Sequence, residues 1–521
     1  MLQGRENNIR RRVNLTSDLL ERFPASAPAL MTISAGGERR VWHFGELIAR
    51  SAGLSGALAA RGVQRGDVVM TLVGNRIEWV LTLLACWRMG AIALPCNTQL
   101  RRRDLAHRIA AAGPVLCVGE EDLLREMPDG VPCMTLADVA AALDEDRPQE
   151  APVAPADLDP EEGALVVFTS GTTGEPRGVL HVQRYLPGQA AQARHWLGAE
   201  QGELVWCTTA TGWSKSARNV FLAPWLCGAA ALLVEGRFDA EERLAICERE
   251  GVNVLCQAPT EYRILAKRDR VRPVAPLRRA VSAGEALDPG VIAEWRGRAG
   301  IEICDGYGQT ETGHVTGNLT GEPVRDGSMG RPLPGIDTRV TPLGSGSDPL
   351  PNAGELQVRA ASCPTFFSRY LDAAGPPELV DGEWWPTGDV VREDPDGYLW
   401  YESRADDLIL SAGYRIGPFE VESALTSHPA VAEAAAVPAP DPERGQVVRA
   451  IVVLRDGEPS DELVRELQDH VKRTTAAYKY PRIVEFADLL TDTATTEVYP
   501  LALHDALPIP QGRVTDHRIN L

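Results

Sequence analysis

The chain has 521 residues, which is more than one compact core usually holds, so we expect at least two domains. Hydrophobic residues make up 44% of it and charged residues 24%, a composition typical of globular proteins. The formal net charge of −19 at pH 7 argues against non-specific nucleic-acid binding, which requires a basic face.

Three features of the sequence favour a cytoplasmic protein without a membrane span. The ten cysteines show no CxxC pair or other metal-ligand spacing, so we expect reduced thiols. The basic segment 1–12 lacks the apolar core of a signal peptide. The most hydrophobic stretches, 79–96 and 220–234, are interrupted or too short for a bilayer, and each is interpreted as a buried helix followed by a core strand.

Strand-like and helix-like segments alternate along the first three hundred or so residues, as is usual for α/β domains. Strands are expected at 41–44, 68–73, 91–96, 252–258 and 277–284, and helices at 45–62 and 76–90. This alternation predicts an α/β fold with largely parallel strands. The following stretch, 321–400, is rich in Gly, Pro and β-forming residues, which indicates smaller strands and turns.

The C-terminal part of the chain has its own pattern of elements. A helix is expected to begin with Pro418 in its first turn and to end before Pro429. A core strand is expected at 447–454, and an amphipathic helix at 460–476 begins with Ser460 as its cap. These elements predict a separable α+β unit.

The run TSGTTGEPRG is a loop rich in glycine and hydroxyl residues that lies between two apolar segments. Backbone N–H groups freed by glycine turns can surround a phosphate, and hydroxyls and a base add further donors. The loop is not a Walker A motif, because GxxxxGK[ST] is absent. A surface linker is the alternative, and this run alone does not decide between the two.

Two more segments place polar residues beside glycine turns. In ICDGYGQTETG, Tyr307 could stack on a base, Thr310 could donate to a phosphate, and Glu311 could ligate Mg²⁺. In WWPTGDVV, Asp389 suits a two-oxygen contact with ribose hydroxyls. Each residue also has a plain structural role open to it: core packing for Tyr307, solvated surface for Glu311 and a turn cap for Asp389.

Taken together, the motifs carry a resemblance. TSGTTGEPRG, YGQTE, TGD and YRIGPFEVE occur in this order between about residues 15 and 490. The chain resembles the adenylate-forming superfamily, which comprises acyl-CoA synthetases, adenylation domains and luciferases. SAGEALDP, GSMGRPLPG and WCTTATGWSK are most similar to acyl-CoA synthetases of the acetyl, medium-chain and benzoate type.

The resemblance implies an α/β fold in two parts. A large N-terminal AMP-binding domain of several subdomains, residues 1–405, has mainly parallel sheets and a small β-barrel-like region. A small, mobile α+β C-terminal domain, residues 406–521, follows and resembles the family only to about 490–498. The implied reaction uses ATP, Mg²⁺ and CoA: a carboxylic acid forms acyl-AMP, and the CoA thiol then displaces AMP. No oligomeric state is implied.

The resemblance also implies roles for individual residues. The implied ATP-binding residues are Thr169, Ser170, Gly171, Thr172, Thr173, Gly174, Arg177, Gly284, Glu285, Asp305, Tyr307, Thr310, Asp389 and Arg404. The implied catalytic residues are Thr310, Glu311 and Arg404, and Glu311 is also the implied metal ligand. Asp406 is the implied hinge, Gly413 and Arg415 belong to the implied CoA and thioester loop, and Trp213 and Gly308 line the implied acyl pocket.

Two positions depart from the family pattern. Arg177 stands where the phosphate loop usually has lysine, which keeps the charge on a planar group. Near the C-terminus, the family's PKTxTGKxxR segment has a catalytic lysine, and the matching TDTATTEV places Glu497 there. A carboxylate repels the developing negative charge, and losing one such donor costs ~10²–10³ in rate, so we expect impaired adenylation. A disturbed reading frame or a sequencing fault after about residue 490 is the alternative explanation.

Three functions stay open at this point. The first is an acid–CoA ligase that acts on an apolar short-chain, medium-chain or aromatic acid. The second is a stand-alone adenylation domain that loads a carrier protein, although no carrier domain with a phosphopantetheine serine is evident in this sequence. The third is a non-catalytic homologue that binds a nucleotide or acyl-AMP, which Glu497 favours.

Overall fold

The computed structural model describes residues 13–144, 146, 150–169, 176–343, 353–405, 407–411, 414–442 and 444–487. Its strands are β1 (Pro28–Ile33), β2 (Arg39–His43), β3 (Val68–Leu72), β4 (Ile92–Pro95), β5 (Leu116–Gly119), β6 (Cys133–Thr135), β7 (Gly163–Phe168), β8 (Gly178–Val182), β9 (Leu204–Cys207), β10 (Ala230–Val234), β11 (Val254–Gln257), β12 (Arg279–Ala283), β13 (Ile303–Gln309), β14 (Gly313–Gly317), β15 (Arg331–Pro332), β16 (Thr338–Thr341), β17 (Ala353–Arg359), β18 (Arg369–Tyr370), β19 (Trp384–Glu393), β20 (Leu399–Arg404), β21 (Ile409–Ser411), β22 (Tyr414–Ile416), β23 (Val431–Asp441), β24 (Gly445–Leu454) and β25 (Ile483–Phe486).

Its helices are α1 (Leu15–Asp18), α2 (Phe44–Ala60), α3 (Ile77–Met89), α4 (Arg102–Ala112), α5 (Leu136–Ala142), α6 (Tyr185–Gly188), α7 (Ala190–Gln192), α8 (Lys215–Ala217), α9 (Ala223–Leu226), α10 (Arg243–Glu250), α11 (Pro259–Lys267), α12 (Pro289–Ala299), α13 (Pro418–Thr426) and α14 (Asp461–Thr474). A π-helical turn, Arg218–Leu222, joins α8 to α9, and a second, Ala193–Leu197, continues α7. No helix in the described ranges combines the length and apolar character that a bilayer crossing requires.

A seven-stranded sheet has the order β18-β8-β7-β4-β3-β5-β6. The five strands from β7 to β6 are parallel, and β8 and β18 add antiparallel strands at one edge. Strand β3 is almost entirely buried, which explains its uninterrupted apolar sequence. Helix α3 ends at Gly90, whose φ of +79° is a left-handed conformation that glycine adopts without strain.

A nine-stranded sheet has the order β15-β14-β13-β12-β11-β9-β10-β1-β2. Its six central strands are parallel, and antiparallel strands close both edges. The carboxyl ends of β9, β12 and β13 therefore meet at one side of the sheet, which is where α/β folds usually bind ligands. The loops at this side contain the GWSK, SAGE and YGQTE segments.

The expected barrel-like region is an open antiparallel sheet with the order β16-β17-β19-β20. Strands β16 and β20 are its two edges, and among the described residues they do not pair to close a barrel. The long strand β19 (Trp384–Glu393) pairs with both β17 and β20, so the TGD segment lies inside this sheet.

The C-terminal elements form a five-stranded sheet in which β22, β21, β24 and β23 follow one another and β25 pairs with β24. Helices α13 and α14 pack on it around a hydrophobic cluster drawn only from residues 409–486. Ser460 caps α14 as predicted, since its hydroxyl accepts a 3.1 Å hydrogen bond from the Leu463 N–H. The predicted α/β fold with a smaller C-terminal part is confirmed, whereas the boundary at 405/406 and its mobility stay predictions.

Candidate functional site

A cleft of about 320 Å³ lies at the carboxyl ends of β12 and β13, beside β19, β20 and α13. The parallel arrangement of the central strands brings the loops of the nine-stranded sheet to this point. The predicted site residues that line it are Trp213, Gly284, Glu285, Asp305, Tyr307, Gly308, Thr310, Asp389 and Arg404. Residues separated by almost 200 positions in the sequence thus share one cavity.

Asp389 is the centre of a hydrogen-bonded network on one wall of the cleft. Its carboxylate accepts hydrogen bonds from the Tyr307 hydroxyl, from Gln309 Nε2 at 2.7 Å and from Arg404 Nη1 at 3.2 Å. Burial raises the pKa of the Asp389 carboxyl, and the Arg404 guanidinium acts in the opposite direction. Three donors therefore fix the orientation of this carboxylate.

The TGD turn explains how Arg404 reaches Asp389. These two residues are opposite each other across β19 and β20. Gly388, with φ +69°, has no side chain between them, and a Cβ there would lie 2.8 Å from Arg404 Nη2. The Thr387 carbonyl accepts from both Arg404 Nη1 at 3.0 Å and Gln309 Nε2 at 2.7 Å. The turn thus needs glycine for steric reasons.

Lys215 lies at the start of α8, on the wall formed by the end of β12. Its Nζ donates a 2.8 Å hydrogen bond to the Ala283 carbonyl. Gly284 follows with φ +107°, and a Cβ at this position would lie 2.5 Å from the Lys215 Nζ. Glycine at 284 therefore lets the ammonium group lie directly against the backbone of the SAGE segment.

Two carboxyl groups are buried on the same side of the cleft. Glu285 accepts a 2.7 Å hydrogen bond from the Thr260 hydroxyl, and burial raises the pKa of its carboxyl. Asp305 is 3% exposed, and its Oδ1 has no hydrogen-bond partner among the described residues. Burial raises the pKa of Asp305 well above its ordinary value, opposed by Lys215. This wall therefore presents the carboxylate oxygens of Glu285 and Asp305, including the unpartnered Asp305 Oδ1, as acceptors for a bound molecule.

Glu311 and Arg177 are connected through Tyr370. The Tyr370 hydroxyl donates a 2.7 Å hydrogen bond to Glu311 Oε1, and the Arg177 guanidinium lies 3.6 Å from the centre of the Tyr370 ring. Arg177 also forms an exposed ion pair with Asp372 at 2.9 Å. Burial raises the pKa of the Glu311 carboxyl, although the Tyr370 hydroxyl stabilises its charged form. Arg177, at the end of the TSGTTGEPRG motif, is therefore close to the Glu311 carboxylate, which Tyr370 orients.

The donor set around Glu311 fits Mg²⁺. Mg²⁺ takes oxygen ligands and is commonly held by one or two carboxylates together with substrate phosphates. Glu311 supplies one such carboxylate, oriented by Tyr370. Within the described ranges no three His, Cys, Asp or Glu side chains form a cluster that could hold a metal ion.

With this geometry established, comparison with known proteins places the chain. The family profile "AMP-binding enzyme" matches residues 18–371, and "AMP-binding enzyme C-terminal domain" matches residues 420–496. The chain belongs to the AMP-binding enzymes. The resemblance inferred from the motifs is thereby confirmed.

Relatives of this AMP-binding enzyme are similar along most of their length. The uncharacterized acyl–CoA ligase YtcI of Bacillus subtilis is 36% identical over 503 residues, covering 93% of this chain and 94% of YtcI. The mitochondrial acyl-coenzyme A synthetase ACSM3 of Homo sapiens is 36% identical over 491 residues, covering 90% of this chain and 84% of the relative.

A solved structure, the anthranilate CoA ligase AuaEII in complex with anthranoyl-AMP, has a TM-score of 0.84 at 27% identity and covers 95% of this chain and 97% of its own. The comparisons support an AMP-forming acyl-CoA synthetase, a family that uses ATP, Mg²⁺, CoA and a small-molecule acid. The cofactor Mg²⁺ and the co-substrates ATP and CoA, which the motifs led us to expect, are therefore the ones that this family uses.

Several predicted site residues of this AMP-binding enzyme lie outside the described residues. They are Ser170, Gly171, Thr172, Thr173, Gly174, Asp406, Gly413 and Glu497. Arg415 is in β22, and its side chain is also outside the description. Thr169 is described: its N–H donates to the Arg177 carbonyl at 3.0 Å, so these two residues close the β7–β8 hairpin at the base of the loop.

Sequence reasoning missed four residues that contribute to the site. Gln309 and Lys215 lie within the quoted YGQTE and GWSK segments, so motif position was an available signal for both. Arg218 follows Lys215 by three residues and also lines the cleft. Tyr370 has no local signal, because its role depends on a contact with a residue 59 positions away.

Proposed function

We propose that this protein is an acid–CoA ligase that activates a carboxylic acid with MgATP to acyl-AMP and then transfers the acyl group to CoA. The observation that carries the proposal is the network of Tyr307, Gln309 and Arg404 on the Asp389 carboxylate, in the same cleft as Gly284 and Glu285. The Asp389 carboxylate is a fixed, buried acceptor that suits the two ribose hydroxyls of a nucleoside, and Gly284 in the same cleft leaves room for the base.

The proposal gives each residue of the site one contact with the nucleotide. The two oxygens of Asp389 accept from the ribose hydroxyls, and Gly284 lets the adenine approach the backbone between Glu285 and Tyr307. Thr310 donates to the α-phosphate. Thr169 and Arg177, at the base of the hairpin loop, face the β- and γ-phosphates together with the loop from Ser170 to Gly174. Support comes from the lining of the cleft and from the hairpin geometry.

In the first step, a substrate carboxylate oxygen forms a bond to the α-phosphorus, and pyrophosphate leaves with the electron pair of the broken P–O bond. The contribution of the chain is to position both reactants and to stabilise negative charge. Thr310 and Arg404 supply donors, and Glu311 would hold Mg²⁺, which would supply positive charge to the phosphate oxygens.

In the second step, the CoA thiol, having lost its proton, attacks the acyl carbonyl carbon, and AMP leaves with the electrons of the C–O bond. The small C-terminal part turns about Asp406 between the steps, and the loop with Gly413 and Arg415 then approaches the acyl group. The lining of the cleft by Pro418 and Phe419 of α13 supports a site that uses both parts of the chain.

The acid has an apolar short-chain, medium-chain or aromatic body in this proposal. Support comes from Trp213, Gly308 and Phe168 in the lining of the cleft and from the aromatic acid that the ligand of AuaEII contains. Glu497, in place of the catalytic lysine, slows the first step but leaves the second less affected.

The same glutamate favours a second candidate, a homologue that binds nucleotide or acyl-AMP without catalysis. Acid-dependent exchange of ³²P between pyrophosphate and ATP, followed by CoA-dependent AMP release, separates the candidates. A ligase shows both activities, and its exchange is slower than its thioester formation from supplied acyl-AMP. Exchange without CoA-dependent AMP release favours carrier loading. A protein with neither activity that still binds ATP would establish the second candidate.

A further inference from the structure

Arg218 is a buried arginine on the wall of the cleft. It begins the π-helical turn after α8, is 2% exposed, and lines the cavity together with Lys215. Its Nε and Nη1 have no hydrogen-bond partner, and it forms no ion pair with any described residue. A guanidinium is charged at any physiological pH and carries five donors, so removing it from water without an anion is strongly unfavourable.

The groups around Arg218 are polar but neutral. Burial lowers the pKa of His181 to about 3 and the pKa of His314 well below its ordinary value, and the charge of Arg218 acts in the same direction on both. Both ring nitrogens of His314 lack a hydrogen-bond partner among the described residues. The Tyr185 hydroxyl is a third polar group beside Arg218, and Tyr185 is buried. A buried cation whose neighbours are neutral polar groups is suited to a ligand that brings acceptor oxygens.

The carboxylates of the cleft do not neutralise Arg218. The charge of Lys215 acts to lower the pKa of both Asp305 and Glu285. Arg218 acts instead on His181 and His314, and His314 lies against Gly306 of the cleft wall. Lys215 therefore acts on two carboxyl groups, whereas Arg218 forms no ion pair with a carboxylate of the described residues.

We propose that Arg218 is a specificity-determining residue that binds a second carboxylate of the substrate, so that the acid is a short aliphatic or aromatic dicarboxylic acid. One carboxylate reacts with ATP, and the other forms a two-oxygen contact with the guanidinium at the far end of an apolar body. The inference rests on the proposed function and names its substrate class. A monocarboxylic acid of the same length would leave Arg218 buried and unpaired.

The test compares acids matched in length and shape: hexanoate with adipate, and benzoate with terephthalate. CoA-dependent AMP release is measured with the full chain at saturating ATP. We expect kcat/KM to favour the diacid of at least one pair by about tenfold or more. In Arg218→Met the preference reverses while the KM for ATP is unchanged. A wild-type preference for both monoacids overturns the proposal, as does a diacid preference that survives in Arg218→Met.

Thermal unfolding separates a binding role from a structural one. Arg218→Met removes an uncompensated buried charge, so Tm should stay equal or rise. Arg243→Met is the matched control, because buried Arg243 forms a 2.7 Å ion pair with Glu261, and its loss should lower Tm. A fall in Tm for Arg218→Met as large as that of Arg243→Met would assign Arg218 to the fold and overturn the proposal.

A separate readout applies if no acid releases AMP, in which case the proposed function has failed. Ligand-induced shifts in Tm with ATP present then decide the inference. Adipate or terephthalate should stabilise the wild-type protein more than its monoacid partner, and this difference should vanish in Arg218→Met. Equal shifts for diacid and monoacid in the wild-type protein overturn the inference.

Discussion

Asp389 and Arg404 are paired across β19 and β20, with Arg404 Nη1 3.2 Å from Asp389 Oδ1. The other carboxylate oxygen, Oδ2, accepts from Tyr307 and Gln309. Because Asp389 is 5% exposed, water competes little for either oxygen. The carboxylate is oriented by the fold before any ligand arrives, and such pre-organisation strengthens the contacts that a ribose would make.

Asp389→Asn keeps the shape of this side chain and removes its charge. A hydrogen bond to a charged group contributes about 1.5–3 kcal/mol, so kcat/KM for ATP should fall by about 10- to 100-fold. Titration of ATP in the exchange assay measures this. Asp381→Asn is the control, since Asp381 forms only an exposed pair with Arg339 at 3.2 Å. An ATP response in Asp389→Asn that equals that of the control would contradict the assignment.

Tyr370→Phe should weaken the response to Mg²⁺. The variant loses the 2.7 Å hydrogen bond that orients Glu311 and stabilises its charged form, so the pKa of that carboxyl should rise further. Half-maximal activity should need several-fold more Mg²⁺, and the acidic limb of the pH–rate profile should move to higher pH. Tyr398→Phe, which loses a bond to the Pro323 carbonyl, serves as the control. Identical Mg²⁺ curves for the two variants would disprove the role of Tyr370.

Glu497→Lys should accelerate adenylation. A lysine restores a donor to the developing negative charge, and one such donor is typically worth ~10²–10³ in rate. Pyrophosphate exchange should rise far more than thioester formation from supplied acyl-AMP. Glu458→Lys, at an exposed position in the C-terminal part, changes the net charge equally and should have no effect. Unchanged exchange in Glu497→Lys would show that this position does not limit the first step.

Gly308→Ala should destabilise the protein and impair the cleft together. A Cβ at Gly308 would overlap the carbonyl oxygen of Gly313 in the neighbouring strand β14. Relief of such an overlap requires backbone shifts that cost about 1–3 kcal/mol or more. Gly297→Ala in α12, where a Cβ meets nothing within 4 Å, should instead raise the free energy of unfolding slightly. Chemical denaturation of both variants measures the contrast, and equal stabilities would refute it.

Glu422 should make stability depend on pH. Burial raises the pKa of its carboxyl from 4.5 to about 7, so between these values the folded state binds more protons than the unfolded chain. The contribution is complete below pH 4.5 and is lost as pH rises to 7. Glu422→Gln, which keeps the acceptor for the Ala436 N–H at 2.9 Å, should remove this loss. Tm measured at about pH 5.5 and 7.5 checks this prediction, and Glu462→Gln, at an exposed position, is the control. An equal change in Tm between the two pH values in the wild-type protein and both variants would contradict the assignment.

Local pattern was enough to predict much of the fold. The apolar runs that became β3 and β4, the helix that Gly90 ends, and the Ser460 cap are decided by residues only a few positions apart. Some of the motif glycines and carboxylates lie in one cleft, because strand order brings the ends of parallel strands together, and their roles stay predictions.

The partners of these residues were not predictable in the same way. Gln309 lies 80 positions from Asp389, and Tyr370 lies 59 positions from Glu311, so no local spacing reports either contact. Arg218 lies beside an apolar helical run, where a long basic side chain usually extends to solvent. Only the packed structure reveals that its guanidinium is enclosed.

The chain leaves the four-stranded sheet directly after Arg404, and the Ala405 N–H is still bonded to the Gly388 carbonyl at 2.8 Å. The residues proposed to bind the ribose therefore all precede position 406 and belong to the large part of the molecule. A turn of the small part about that position would leave their hold on the nucleotide unchanged. The acyl-AMP would then stay bound to the protein molecule that formed it. Free acyl-AMP in the medium would exchange with the bound acyl-AMP only slowly during turnover.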